Sequence, residues 1–173
     1  MKIKPLPILV TFLFLIFFFG FFQGLKNPNI YEPRISQDQE IPFFTAQLFN
    51  SKTEINSNEI FAGNKFYLLN IWSSWCAPCK FEHKFLIQLN KEQNLEIVGL
   101  NYKDNVKNAK NYLEELSNPY DILISDKNGL TAIEWGAYGV PETFLIYDKK
   151  ILKKIIGPIT NDLMNEIKEL IKT

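Results

Sequence analysis

The run Phe66–Trp72 (FYLLNIW) is almost wholly apolar, and Cys76-Ala77-Pro78-Cys79 follows it within a few residues. An apolar run without alternation is the pattern of a central strand covered on both faces. Beyond the cysteines, Phe81, Phe85 and Leu89 recur at i, i+4 and i+8, which predicts a helix over about residues 76–91 with one apolar stripe. A buried strand feeding directly into an amphipathic helix restricts the chain to layered α/β architectures.

The remaining segments agree. Residues 43–49 and a short piece near Ile55 read as a leading hairpin around Asn50-Ser51-Lys52. Residues 95–100 (LEIVGL) form a second strand. Residues 105–116 form a helix with Val106, Ala109, Leu113 and Leu116 on one face, ended by Asn118-Pro119. Residues 122–124 are a short strand and 126–129 a turn. Residues 143–147 and 151–156 are strands joined by Asp148-Lys149-Lys150. Thr160 can cap a last helix with Leu163, Ile167, Leu170 and Ile171 inward. This order predicts an α/β layer sandwich, with a central mixed sheet, helices on both faces and right-handed crossovers.

The first 25 of the 173 residues stand apart. Residues 6–25 carry no charge and hold seven of the fifteen phenylalanines. As a helix they measure about 30 Å, the thickness of a hydrocarbon core. No A-x-A-like cleavage site follows, so residues 1–25 read as an uncleaved N-terminal transmembrane anchor. Lys2 and Lys4 would stay on the cytoplasmic side, leaving the rest of the chain in an oxidising compartment. Residues 26–40, with Pro28 and Pro33, read as a linker, and residues 41–173 as one domain without repeats. The one arginine, Arg34, receives no role. Without residues 1–25 the chain keeps 17 basic against 19 acidic residues, a charge that carries no nucleic-acid footprint. Two cysteines exclude a disulfide scaffold and a four-cysteine zinc site.

The chemistry concentrates in Trp75-Cys76-Ala77-Pro78-Cys79-Lys80. Cysteines three apart in a first helical turn can close a small ring and so cycle between dithiol and disulfide. Cys76 falls at the helix N-terminus, where free N–H groups and the positive dipole end favour a thiolate below the ~8.5 of a free thiol. This makes Cys76 the exposed attacking thiol and Cys79 the shielded resolving one. Pro78 removes one N–H from that end. Three other readings stay open: a structural disulfide, two ordinary buried cysteines, and a metal site with Cys76, Cys79 and His83. A three-residue loop gains little from cross-linking, and the metal set lacks a fourth ligand. A redox-active Cys76–Cys79 pair needing neither metal nor other cofactor is the preferred reading.

With these residues the chain resembles the thioredoxin superfamily and, more closely, the CcmG/DsbE family of membrane-tethered thiol:disulfide interchange proteins of cytochrome c maturation. The resemblance runs over about residues 41–170. It rests on Leu68-Leu69-Asn70-Ile71-Trp72, on the cysteine block through Glu82-His83, on Asn101-Tyr102-Lys103-Asp104 and on residues 136–146 (GAYGVPETFLI). It implies a thioredoxin-like fold, Cys76 as nucleophile and Cys79 as resolving thiol. It also implies a cis-proline at Pro141 facing the dithiol, with the Val140 backbone pairing an extended substrate. Trp75 then belongs to the exposed rim around Cys76, Ala77 and Pro78 are the residues between the cysteines that tune the reduction potential, and Glu82 and Glu142 are acids near the site. Asn70 stands where typical thioredoxins hold a buried Asp, so Glu82 or Glu142 would relay the proton instead. His83 reads as a surface or helix-packing residue. The implied partners are the haem-attachment cysteines of apocytochrome c or their thiol carrier, and a transmembrane thiol reductant. A less specialised reductase, or a metal-delivery chaperone using Cys76, Cys79 and His83, is the alternative.

Overall fold

The computed structural model describes residues 5–26 and 39–172, in two units, Met1–Arg34 and Ile35–Thr173. Lys2, Lys4 and residues 27–38 of the expected linker lie outside the described residues. The first unit contains one helix, α1 (Pro5–Lys26, 22 residues). Its side chains are described without a gap over residues 9–23, all of them exposed. Among the described residues, no helix is long and apolar enough to cross a membrane.

The second unit opens with β1 (Gln39–Glu40), β2 (Thr45–Leu48), β3 (Glu54–Asn56) and α2 (Ser57–Ile60). Next come β4 (Phe66–Trp72), α3 (Ala77–Leu89), β5 (Leu95–Tyr102), α4 (Val106–Leu116), β6 (Ile122–Asp126) and α5 (Leu130–Glu134). It closes with β7 (Glu142–Tyr147), β8 (Lys150–Ile156) and α6 (Asn161–Leu170). The strands form one mixed sheet in the order β1-β8-β7-β4-β5-β6-β2-β3. β4, β5 and β6 run parallel, and the other pairings are antiparallel. The leading hairpin is present as β2–β3. Gln39 and Glu40 pair with Ile151 and Lys150, so the sheet takes in the last two residues of the expected linker.

Every residue of β4 is buried, as its apolar run requires. Phe66, Leu68 and Trp72 face a core filled from α3, α4 and α6. Tyr67, Leu69 and Ile71 face a second core with Phe44, Phe61, Ala132 and Trp135. Each fully buried aliphatic side chain contributes about 1.5–3 kcal/mol. The two cysteines belong to the first core.

Two expected stripes turn out rotated. On α3 the inward residues are Cys79, Glu82, His83, Phe85, Leu86 and Leu89, whereas Phe81 is 54% exposed. One residue is about 100° of helix turn, and that step from Glu82 carries Phe81 to the border of the face. On α6 the inner face is Met164, Ile167 and Ile171, with Leu163 only half-buried and Leu170 outward. On α4, Tyr112 joins Ala109 and Leu113 inside, while Val106 and Leu116 are half-buried. The helices α2 and α5 have no counterpart in the periodicity, being too short to show one.

Candidate functional site

The corner between β4 and α3 is held from the neighbouring β5. Asp104 accepts from the Ser74 N–H at 2.6 Å, the Ser74 hydroxyl at 2.8 Å and the Asn101 amide at 3.0 Å. Ser73 donates its hydroxyl to the Tyr102 carbonyl. The Trp75 indole N–H reaches the Lys103 carbonyl at 3.2 Å, which tethers a ring that is 59% exposed. Cys76 is the N-cap of α3 and the helix proper begins at Ala77.

The two sulfurs are bonded, with 5.3 Å between the Cα atoms. The Cys76 Sγ also accepts from the Cys79 N–H at 3.1 Å. That N–H is one of the free donors of a helix start, and it steadies the same sulfur as an anion once the bond is reduced. The expected contrast in exposure is absent in the disulfide form: Cys76 is 4% and Cys79 2% exposed. A bonded sulfur at an N-cap folds back over the helix end, so the exposed surface passes to Trp75, Ala77 and Pro78.

The second element of the site reaches the same sheet end. β7 runs antiparallel to β4, with Thr143 opposite Asn70 and Glu142 opposite Ile71. Pro141 therefore sits beside the end of β4 that leads to Cys76, and the Val140–Pro141 bond is cis. Val140 packs against the core that holds both cysteines.

Beneath α3 lies a closed polar chain. Glu82, fully buried, accepts from the Asn70 amide at 2.8 Å and from the Ile159 N–H at 2.8 Å. The Asn70 amide also reaches the Thr143 hydroxyl at 3.0 Å, and its carbonyl accepts from the Tyr120 hydroxyl at 2.9 Å. Burial pushes the Tyr120 phenol well above its ordinary range, which keeps it a donor and sets the Asn70 amide nitrogen toward Glu82. Gly99 makes room for this ring: a Cβ there would lie 2.7 Å from Tyr120.

A family model described as Redoxin matches residues 36–169. A thiol:disulfide interchange protein DsbE from Pasteurella multocida is 37% identical over 149 residues, covering 83% of this chain and 80% of its own. The chain belongs to the redoxin family, among its DsbE/CcmG interchange proteins. The thiol:disulfide interchange protein CycY of Rhizobium leguminosarum is 48% identical over 103 residues, 59% of this chain, and the match takes in 55% of CycY's own length. The fold of this redoxin matches a thiol:disulfide interchange protein of the thioredoxin family from Chlorobium tepidum. That match has a TM-score of 0.65 at 20% identity and covers 80% of this chain and 99% of the other. The expected thioredoxin-like fold is therefore the observed one, and Cys76–Cys79 is the redox pair of a disulfide oxidoreductase domain.

In this redoxin the two acids differ in kind. Burial raises the Glu82 carboxyl from 4.5 to about 7, against the lowering pull of the Ile159 N–H and the Asn70 amide. Between those two values the folded protein holds a proton that the unfolded chain has released. The contribution is therefore fully present below pH 4.5 and lost as pH rises through about 7. The loss is on the order of 3 kcal/mol. Glu82→Gln should flatten that part of the stability curve, read as the difference in urea midpoints between variant and native protein from pH 4 to 8. A difference curve with no slope in this window would show that burial does not raise the carboxyl above its ordinary value.

Glu142 is instead enclosed by the loop before it. One carboxylate oxygen accepts from the Tyr138 and Gly139 N–H groups at 2.6 and 3.1 Å. The other lies 2.8 Å from Lys154 Nζ and, among the described residues, gains only that ion pair, with no hydrogen bond of good angle. His83 is a packing residue. It is 3% exposed and its Nε2 lies 2.8 Å from the Ser117 carbonyl, so that nitrogen must carry the proton. Burial lowers its pKa, although the Ser117 and Leu116 backbone pulls the other way. Ser74, Asp104, Tyr120 and Lys154 went unremarked as individual residues in the sequence. Their only signal there was the place of Asp104 in the Asn101–Asp104 block.

Proposed function

We propose that this protein is a membrane-anchored thiol:disulfide oxidoreductase facing the periplasm, where it reduces a client disulfide during cytochrome c biogenesis. The observation that carries the reading is that Cys76–Cys79, at the start of α3, and the cis Val140–Pro141 bond lie at the same end of the paired strands β4 and β7. In the reduced protein the Cys76 thiolate attacks one client sulfur and the client S–S bond breaks. The other client sulfur leaves as a thiolate and takes up a proton. Cys79 then loses its proton and attacks Cys76 Sγ, which releases the second client thiol and closes the Cys76–Cys79 bond. Two electrons pass to the client, whose two sulfurs take up the proton that Cys79 gives up and one proton from solvent. Glu82 is the proposed acceptor of the Cys79 proton: it lies one turn along α3, and its carboxyl releases protons near neutrality.

The printed names of CycY and DsbE as interchange proteins support the exchange chemistry. The family resemblance supports apocytochrome c, or a thiol carrier that serves it, as client. It also supports a transmembrane thiol reductant as the source of electrons. The uncharged residues 6–25 behind Lys2 and Lys4 support a single anchor in the inner membrane.

Cys79→Ser tests this reading, because it stops the reaction at the mixed disulfide. Trapped from intact cells, the variant should carry a narrow set of proteins with a haem-attachment Cys-x-x-Cys-His pair or their thiol carriers. A broad set of unrelated secreted proteins would instead favour a general reductase.

A further inference from the structure

Lys154, on β8, is an unusual place for a charge. Its side chain is 8% exposed, and that of its partner Glu142 is 2%. A buried ion pair is a poor source of stability, because desolvation offsets most of the attraction and apolar residues of similar size do as well. What such a pair supplies is direction. Lys154 Nζ lies 2.8 Å from Glu142 Oε2 and donates to the Gly136 carbonyl at 2.8 Å. It also stands 4.9 Å from the Tyr138 ring centre and 5.3 Å from that of Phe144. The Glu142 carboxylate, so oriented, receives the Tyr138 and Gly139 N–H groups. Three backbone points within residues 136–139 are thus tied to one buried ammonium, directly or through one carboxylate. The chain continues from them into Val140 and Pro141, whose carbonyl is fixed in turn by the Gly157 N–H at 3.0 Å.

We propose that Lys154 is a positioning residue for client recognition, which with Glu142 holds residues 136–141 as a preset edge for the backbone of a disulfide-bearing polypeptide. This rests on the reading of Val140–Pro141 as the docking edge. A polypeptide client needs that edge in place before Cys76 can reach its sulfur, and a loop free to move would have to be ordered at each encounter. A small disulfide has no backbone to dock and needs only the thiolate.

The test uses the reduced full-length chain in detergent with two probes: a short synthetic peptide holding an oxidised Cys-x-x-Cys-His pair, and 2-hydroxyethyl disulfide. Lys154→Met should lower kcat/KM for the peptide at least tenfold, mainly through KM. Its rate with 2-hydroxyethyl disulfide should stay within twofold of the native protein. The Tyr138 and Gly139 amides should exchange with solvent at least tenfold faster, while the Cys79 amide keeps its rate. Should the stranded Glu142 charge prevent Lys154→Met from folding, the double variant Glu142→Gln/Lys154→Met carries the same comparison, because it removes both buried charges together. Unchanged peptide kinetics in a folded variant would overturn the proposal, as would a parallel fall with both probes. A native protein that reduces 2-hydroxyethyl disulfide but not the peptide would remove the docking reading itself, and the role of Lys154 with it.

Discussion

Cys76→Ser leaves a folded protein in which disulfide exchange falls by about 10³-fold or more, since a serine hydroxyl cannot replace the thiolate as nucleophile. The fold should survive. The lost cross-link closes a loop with a sequence separation of three, so it constrains the unfolded chain very little. Cys76 is only 4% exposed, so its truncation to a smaller atom leaves a minor gap rather than a new surface. The measurement is reduction of a peptide disulfide alongside circular dichroism. Exchange at the native rate would transfer the attacking role to Cys79. Cys79→Ser should behave differently, completing the first attack and then stalling with the client attached. The contrast follows from geometry, since the Cys79 N–H points at Cys76 Sγ and so steadies an anion on Cys76.

The largest expected loss of stability comes from Trp135→Ala. Trp135 is 2% exposed and closes the core on the sheet face opposite the cysteines. Its ring centre lies 5.0 Å from Phe144, 5.9 Å from Phe61 and 6.1 Å from Phe44. Truncating a buried aromatic of this size costs about 3–5 kcal/mol, where a whole domain holds about 5–15. Trp135→Phe should be much milder. It keeps most of the ring contact and removes an indole N–H that has no hydrogen-bond partner among the described residues. Urea unfolding of both variants checks this, and equal losses would mean that the N–H is satisfied in solution. Exchange with 2-hydroxyethyl disulfide, per folded molecule, should be unaltered in both, because the cysteines sit in the other core.

How far the sequence reaches is visible along α3. Its start, the N-cap cysteine, the dithiol spacing and the strand feeding it all follow from interactions within a few residues, and β4 appears with the bounds its apolar run indicates. The same holds for the Thr160 cap of α6, where the hydroxyl accepts from the Leu163 N–H three residues on. The order of strands and helices likewise leads to a mixed central sheet with helices on both faces. Short elements escaped. α5 is five residues long, too short for a helical period, yet Trp135 at its end carries much of one core.

What the chain announced by itself was therefore local chemistry: where elements begin, which runs are apolar, and that two thiols share one helical turn. The tertiary structure decided which polar groups go inside and what they do there. Glu82 reads equally well as a solvated helix acid until the Ile159 N–H, 77 positions away, and the Asn70 amide enclose it. Asn70 is oriented by Tyr120 across 50 positions, and Glu142 by a lysine from the next strand. Periodicity reports only the neighbours along the chain. The protonation and direction of a buried polar group depend on partners that folding brings from far along it.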